Sequence, residues 1–359
     1  MNNQPSVGAC HAGQSTLNGV WHWLVGVVVL ACLGTGNGRG AEPGWRQLSG
    51  HVPGVVAQLA PLGRLPSSNQ LSLAIGVALR NQAALDDLLA QVYDPHSPNY
   101  HHYLTPSEFT ERFGPTPADY QAVAQFAEAH GLQVTGRYAN RVVLDVQGSV
   151  AQVEAAFHTT LRTYQHPTEA RHFYAPDAEP SVPTNVPVAD MWGMSDYGPP
   201  HPLVRPATHH ATPENYNGSG PSGTYQGRDF RNAYIPGSSL AGSGQTAAVA
   251  EFDSYYASDI TAYETKIGYT NVPLQKVIVD NVSGNPGYSG VTGANTEVSL
   301  DIELLISMAP ALSNLLVYEG TSPYDVFNRI VTDNLAKEIS CSWSWGYGPS
   351  NTRWPGSAP

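Results

Sequence analysis

Apolar and polar positions change their period several times along the chain, and each change predicts an element. From Leu71, "LSLAIGVAL" alternates as a strand does, while "QAALDDLLAQVY" from Gln82 repeats its apolar residues at helical spacing. "DPHSPNYHHYLTPSEF" breaks that pattern with three prolines ahead of a second, short helix. "PADYQAVAQFAEAHG" from Pro117 reads as a helix with a glycine stop, and "LQVTGRYANRVVLDV" as a strand, a turn and a strand. Ser149 then caps a helix in "SVAQVEAAFHT", and "LRTYQHP" from Leu161 returns as a strand. Strand, helix, strand, strand, helix, strand is the order of a split βαβ, ferredoxin-like layer, so this first part is expected to be α+β.

A different rhythm follows Tyr216. "TAAVAEF" from Thr246, "QKVIVDNV" from Gln275, "SNLLVYEG" from Ser313 and "KEISCSW" from Lys337 are apolar runs of strand length. Helical stretches beginning near Ser258, Thr296 and Pro323 separate them. Such β and α alternation predicts a parallel sheet covered by helices. Between the two parts, residues 191–220 turn to Pro, Gly, His and Ser without periodicity, as an exposed linker does, and processing of the chain is expected there.

The helix near Thr296 carries an anomaly. In "TEVSLDIELLISMAP", Glu297 and Asp301 stand four residues apart at the head of an otherwise apolar run, so both carboxylates project from one face. The plain explanation is that acids in a first turn complement the helix dipole and stay in water.

Length and charge restrict the partners. A chain of 359 residues holds two or more domains, and a net charge of −12 with only 13% charged residues lacks the Lys and Arg patches that phosphate backbones require, which excludes nucleic acid. The run "VWHWLVGVVVLACLG" from Val20 has the length of a signal-peptide apolar region and small residues follow it, so cleavage near Gly40 or Ala41 and secretion are expected, although no Lys or Arg precedes the run. "VLAC" ending at Cys32 offers a lipoprotein anchor as the alternative, the one route to a membrane. Cys10 and Cys32 fall in that segment, which leaves Cys341 with no disulfide partner and the place of a small apolar residue in a buried strand. His96, His101 and His102, like His209 and His210, lack neighbours at ligand spacing and read as solvated loop residues.

The segments "YDPHSPNYHHYLTPSEFTERFGPTPADYQAVAQFAEAHGLQV", "RVVLDVQGSVAQVEAAFHTTLRTY" and "FYAPDAEPSVP" resemble, in order and over more than ~100 residues, the activation prodomain of the sedolisin peptidases, the serine-carboxyl or kumamolisin-like family. The resemblance implies a prodomain that occupies the active-site cleft, assists folding and is removed autocatalytically in acid. It also implies that the second part has a subtilisin-like α/β fold. Residues 1–41 then form the signal peptide, 42–190 the prodomain, 191–220 the linker and 221–359 the N-terminal part of a peptidase domain.

On the same resemblance Glu297 is the general base and Asp301 the acid behind it. The chemistry suits the residue type, since a carboxylate with a pKa near ~4.3 still accepts a serine proton in acid, where histidine would be charged. Glu251 in "AVAEFD" and Trp343 in "ISCSWSWG" match residues that extend the carboxylate network, with Trp345 competing for the tryptophan's place. Ser322 in Gly320-Thr321-Ser322 mimics the nucleophile motif but comes one strand after the acidic helix and ahead of a proline and bulky residues, so it is set aside. The true serine, the oxyanion aspartate and the calcium-binding aspartates of the family are expected beyond Pro359, making this chain a truncated zymogen, inactive alone, with protein substrates and its own prodomain as partners. The alternative is a non-catalytic binding or inhibitory fragment.

Overall fold

The computed structural model describes residues 44–203 and 218–345. The expected signal peptide with Cys10 and Cys32, the middle of the expected linker with His209 and His210, and the stretch from residue 346 lie outside the described residues.

The first part runs β1 (Trp45–Gln47), β2 (Gly63–Arg64), β3 (Gln70–Val77), α1 (Gln82–Tyr93), α2 (Pro106–Arg112), α3 (Pro117–Ala129), β4 (Gln133–Arg137), β5 (Val143–Ser149), α4 (Val150–Phe157), β6 (Leu161–Gln165), β7 (His172–Pro176), β8 (Ser181–Pro183) and β9 (Val188–Trp192). Local sequence sets where three helices begin. Thr105 with Glu108, Thr116 with Asp119 and Ser149 with Gln152 each close a capping box, which satisfies two backbone N–H groups reciprocally, and proline occupies the first turn of α2 and α3.

The main sheet is antiparallel, in the order β4-β5-β3-β9. Leu73, Ile75 and Val77 alternate inward from β3 and meet Val123, Ala124 and Ala127 of α3 and Val153, Ala156 and Phe157 of α4 in one core. The strand expected from Leu161 to complete this sheet lies elsewhere: β6 pairs with β2 and β7 in a three-stranded sheet, and β9 takes the place beside β3. Packing explains the exchange. Val188 and Met191 of β9 enter the main core, whereas Tyr164 of β6 stacks on Phe173 at 5.3 Å in a small separate cluster.

The second part runs β10 (Pro200–Pro202), α5 (Arg228–Tyr234), β11 (Thr246–Glu251), α6 (Ala257–Ile267), β12 (Leu274–Ile278), α7 (Ala294–Met308), β13 (Asn314–Glu319), α8 (Pro323–Asp333), β14 (Glu338–Ser340) and β15 (Trp343–Trp345). Its sheet is parallel throughout, in the order β12-β13-β11-β14. The two central strands bury Ala247–Ala250 and Leu315–Tyr318, the continuous apolar runs of strands covered on both faces. Helix α8 packs against β11 and β13 and also against β3 and β5, so it fills the space between the two sheets within one compact unit. Within the stretch expected as linker, residues 191 and 192 finish β9, and β10 pairs antiparallel with β15. Among the described residues no helix is long and apolar enough to cross a membrane.

Candidate active site

Helix α7 starts from Gly293, whose φ of 81° is open to glycine and costly for other residues. Ala294, Val298, Ile302 and Ile306 form its buried stripe, and Glu297 and Asp301 sit one position before Val298 and Ile302 on the same side. Both acids are nearly inaccessible, Glu297 at 3% and Asp301 at 7% exposure. Acids that only complemented a dipole would remain in water, so burial removes the plain explanation of the pair.

The neighbours of the pair come from two strand ends. Asp301 Oδ1 accepts a hydrogen bond from Ser342 Oγ at 2.8 Å, and Glu251 Oε2 accepts one from the indole N–H of Trp343 at 2.7 Å. Successive residues, Ser342 and Trp343, thus serve successive acids. Glu251 closes β11 with no exposed surface, and burial pushes its pKa well above the usual carboxylate range; the charges of Asp301, Glu297 and Glu319 push it further, against the Trp343 hydrogen bond.

Asp301 is also raised by burial, opposed by hydrogen bonds from Ser342 and from Glu251. A carboxyl-to-carboxylate bond needs one proton, and burial, which raises Glu251 well above its usual range, favours the protonated form there. Glu251 Oε1 and Asp301 Oδ2 have no N–H or hydroxyl donor, as expected of oxygens that share that proton.

The other singled-out residues separate from this group. Trp345 stacks edge-on to Phe252 at 5.8 Å and against Phe327 at 6.2 Å, a packing role. Ser322 caps α8, accepting from Asp325 N at 3.3 Å, and is buried. Cys341 is half-buried between β14 and β15, and burial pushes its thiol up to about 11, which suppresses the thiolate. His96, His101 and His102 are exposed, with His101 stacked on Tyr100 at 3.8 Å. Among the described residues no three His, Cys, Asp or Glu side chains group to hold a metal ion.

An extended segment lies against this group. Pro200, His201 and Pro202 pair in antiparallel register with Trp345, Ser344 and Trp343, and Leu203 N donates to the Ser342 carbonyl at 3.1 Å. Helix α7 packs against the same segment. A peptide strand therefore runs beside the residues that bind Glu251 and Asp301, the geometry of strand-addition recognition. Ser342, β10 and the buried Glu319 were not identified from sequence. The sole signal for Ser342 was its place next to Trp343, and for Glu319 an acid closing an apolar run, as Glu251 does.

The family described as pro-kumamolisin, activation domain, matches residues 57–189. Xanthomonalisin of Xanthomonas sp. (strain T-22) is 28% identical over 312 residues, 79% of this chain and 36% of that protein. Sedolisin of Pseudomonas sp. (strain 101) is 26% identical over 81% of this chain and 51% of its own length. For kumamolisin of Bacillus sp. (strain MN-32) the figures are 27%, 86% and 56%. The chain thus spans between about a third and just over half of the curated relatives it matches.

Proposed function

We propose, from the premise that this chain belongs to the sedolisin family and carries its activation domain over residues 57–189, that it is the zymogen portion of a serine-type endopeptidase acting on proteins in acid. The observation that carries the proposal is the buried row Glu297, Asp301 and Glu251, fixed by Ser342 and Trp343 and covered by an extended segment of its own chain.

In this reading Glu297 takes the proton of a serine hydroxyl as the oxygen attacks the scissile carbonyl, then returns it to the departing amine. Asp301 holds Glu297 in place and spreads its charge, and Glu251 donates the shared proton that keeps Asp301 from carrying a full isolated charge. Ser342 fixes Asp301 as a donor and is no nucleophile here. The attacking serine and the oxyanion donor come from outside the described residues. Residues 200–203 hold the place of substrate, so the activation part inhibits by occupancy until the chain is cut after it. The first part would be a ferredoxin-like layer and the second a subtilisin-like one, exported by the apolar run from Val20.

The test is to join this chain to the C-terminal part of kumamolisin and follow self-processing by gel from pH 3 to 7. Acid self-processing is expected, with Glu297→Gln slower by about 10²-fold, the scale of general-base catalysis, and Asp301→Asn also impaired. Glu303→Gln is the control, since Glu303 is only half-buried and is influenced by Asp259 and Lys266 of α6. Equal rates for parent and Glu297→Gln would sink the reading.

A further inference from the structure

The two central strands of the parallel sheet end on glutamates. Glu251 of β11 and Glu319 of β13 are register partners at the carboxyl edge, and neither has any exposed surface. Register partners on adjacent parallel strands project to the same face, so two buried carboxyls stand side by side at one level of the sheet. Such a pair is costly unless something determines which of them carries charge.

Glu319 has its own support on the side away from Trp343. Its Oε1 accepts from Ser254 Oγ at 2.9 Å and lies 3.6 Å from Lys276 Nζ, while Oε2 has no donor. Lys276, from β12, is held by Ser254 Oγ at 2.5 Å and the Gly284 carbonyl at 2.8 Å, and its Nζ stands 4.6 Å over the Tyr255 ring. Nearby Asp253 has its carboxylate taken up by Gly287 N and Ser289 Oγ, both at 2.7 Å, and Tyr288 donates to the Gly320 carbonyl at 3.0 Å.

We infer that Glu319 is a positioning residue for the candidate active site, the far member of a buried row Glu319, Glu251, Asp301, Glu297, whose charge sets how tightly Glu251 keeps the proton it shares with Asp301. Burial pushes Glu319 up to about 7, against the pull of Lys276 and Ser254. In acid Glu319 is therefore neutral, and the row holds no charge beyond that of the reacting pair. As pH rises past that point Glu319 ionises against Lys276 and places a second negative charge next to Glu251, which then binds its proton more tightly. The role of the row in catalysis rests on the peptidase reading; the coupling of Glu319 to Glu251 does not.

The coupling is read in the full chain through the indole N–H of Trp343, which donates to Glu251. In 15N-labelled protein this signal, assigned by its loss in Trp343→Phe, is followed between pH 4 and 9. A titration step near pH 7 is expected in the parent, absent in Glu319→Gln and moved at least ~0.5 pH unit upward in Lys276→Gln, about a threefold change in proton affinity. If Glu319→Gln does not fold, the Lys276→Gln shift decides alone. A parent without the step, or a step that keeps its midpoint in the variants, overturns the inference. A failure of Glu297→Gln to slow self-processing leaves this titration untouched, so the two readings fall separately.

Discussion

Glu251, Asp301 and Glu319 are each buried with a specific donor, and removing a donor exposes what it does. Trp343→Phe leaves Glu251 without its indole N–H at 2.7 Å, in a place no water reaches. That should cost about 1–3 kcal/mol beyond the loss of ring area, as for other buried acceptors stripped of a partner. Trp345→Phe loses stacking on Phe252 and Phe327, whereas Trp343 also donates to a buried acid, so urea midpoints should fall further for Trp343→Phe. Equal losses would mean that the indole bond contributes nothing. The i, i+4 spacing made Glu297 and Asp301 visible in the sequence, because a charged stripe inside an apolar one has few explanations. Ser342 and Glu319 were invisible for the opposite reason: a serine in a short strand end and an acid closing a strand both have common, unremarkable uses, and only the fold brings them to Asp301 and Glu251.

Helix α7 presents its acids at the right turn because Gly293 starts it in the left-handed region, with no side-chain cap to share the work. Gly293→Ala meets no atom within 4 Å but must hold a φ of 81°, which should lower stability by about 1–2 kcal/mol in thermal or urea unfolding. A neutral result would show that the helix start shifts freely, and with it the aim of Glu297. Most elements lie within a few residues of where periodicity put them, since apolar spacing is local information. Sheet membership is not local, and there the sequence misled. A segment covering 71–183 has the expected strands and helices, yet lacks Leu48, Val188, Met191 and Met194, all buried in its core. Residues 44–198 should therefore melt cooperatively by circular dichroism while 71–183 should not; the reverse would place β9 outside the folding unit.

Across the whole molecule, the activation part and the parallel-sheet part meet through acids. Asp145 of β5 and Asp325 at the start of α8 hydrogen-bond each other, Tyr138 donates to Asp145 at 2.7 Å, and Asp280 adds its charge nearby. Asn140 donates to Asn328 at 2.6 Å and Tyr324 donates to Asp190, so these two contacts and the Asp145–Asp325 pair join the two parts, while Tyr138 supports Asp145 from within the activation part. Burial, before any other cause, raises both Asp145 and Asp325 above the usual carboxylate range; the charge and hydrogen bond of Asp145 raise Asp325 further, while the bond from Asp325 pulls Asp145 down, so the shared proton sits on Asp325. The folded protein therefore keeps a proton that the unfolded chain loses near pH ~3.9. Stability contributed by this pair is full below that pH and declines as pH rises through the folded values. The contact is tightest in acid, so if the activation part leaves in acid, as the family resemblance implies, this pair does not trigger it and cutting of the chain must come first. Asp325→Asn supplies an amide donor to Asp145 without needing a shared proton. Urea unfolding at pH 4, 5, 6 and 7 should show the parent losing stability more steeply than the variant, by at least about 1 kcal/mol across the range, the equivalent of roughly one pKa unit. Parallel curves would mean that the two carboxyls do not share a proton across the interface, and that the pH dependence of the union arises elsewhere.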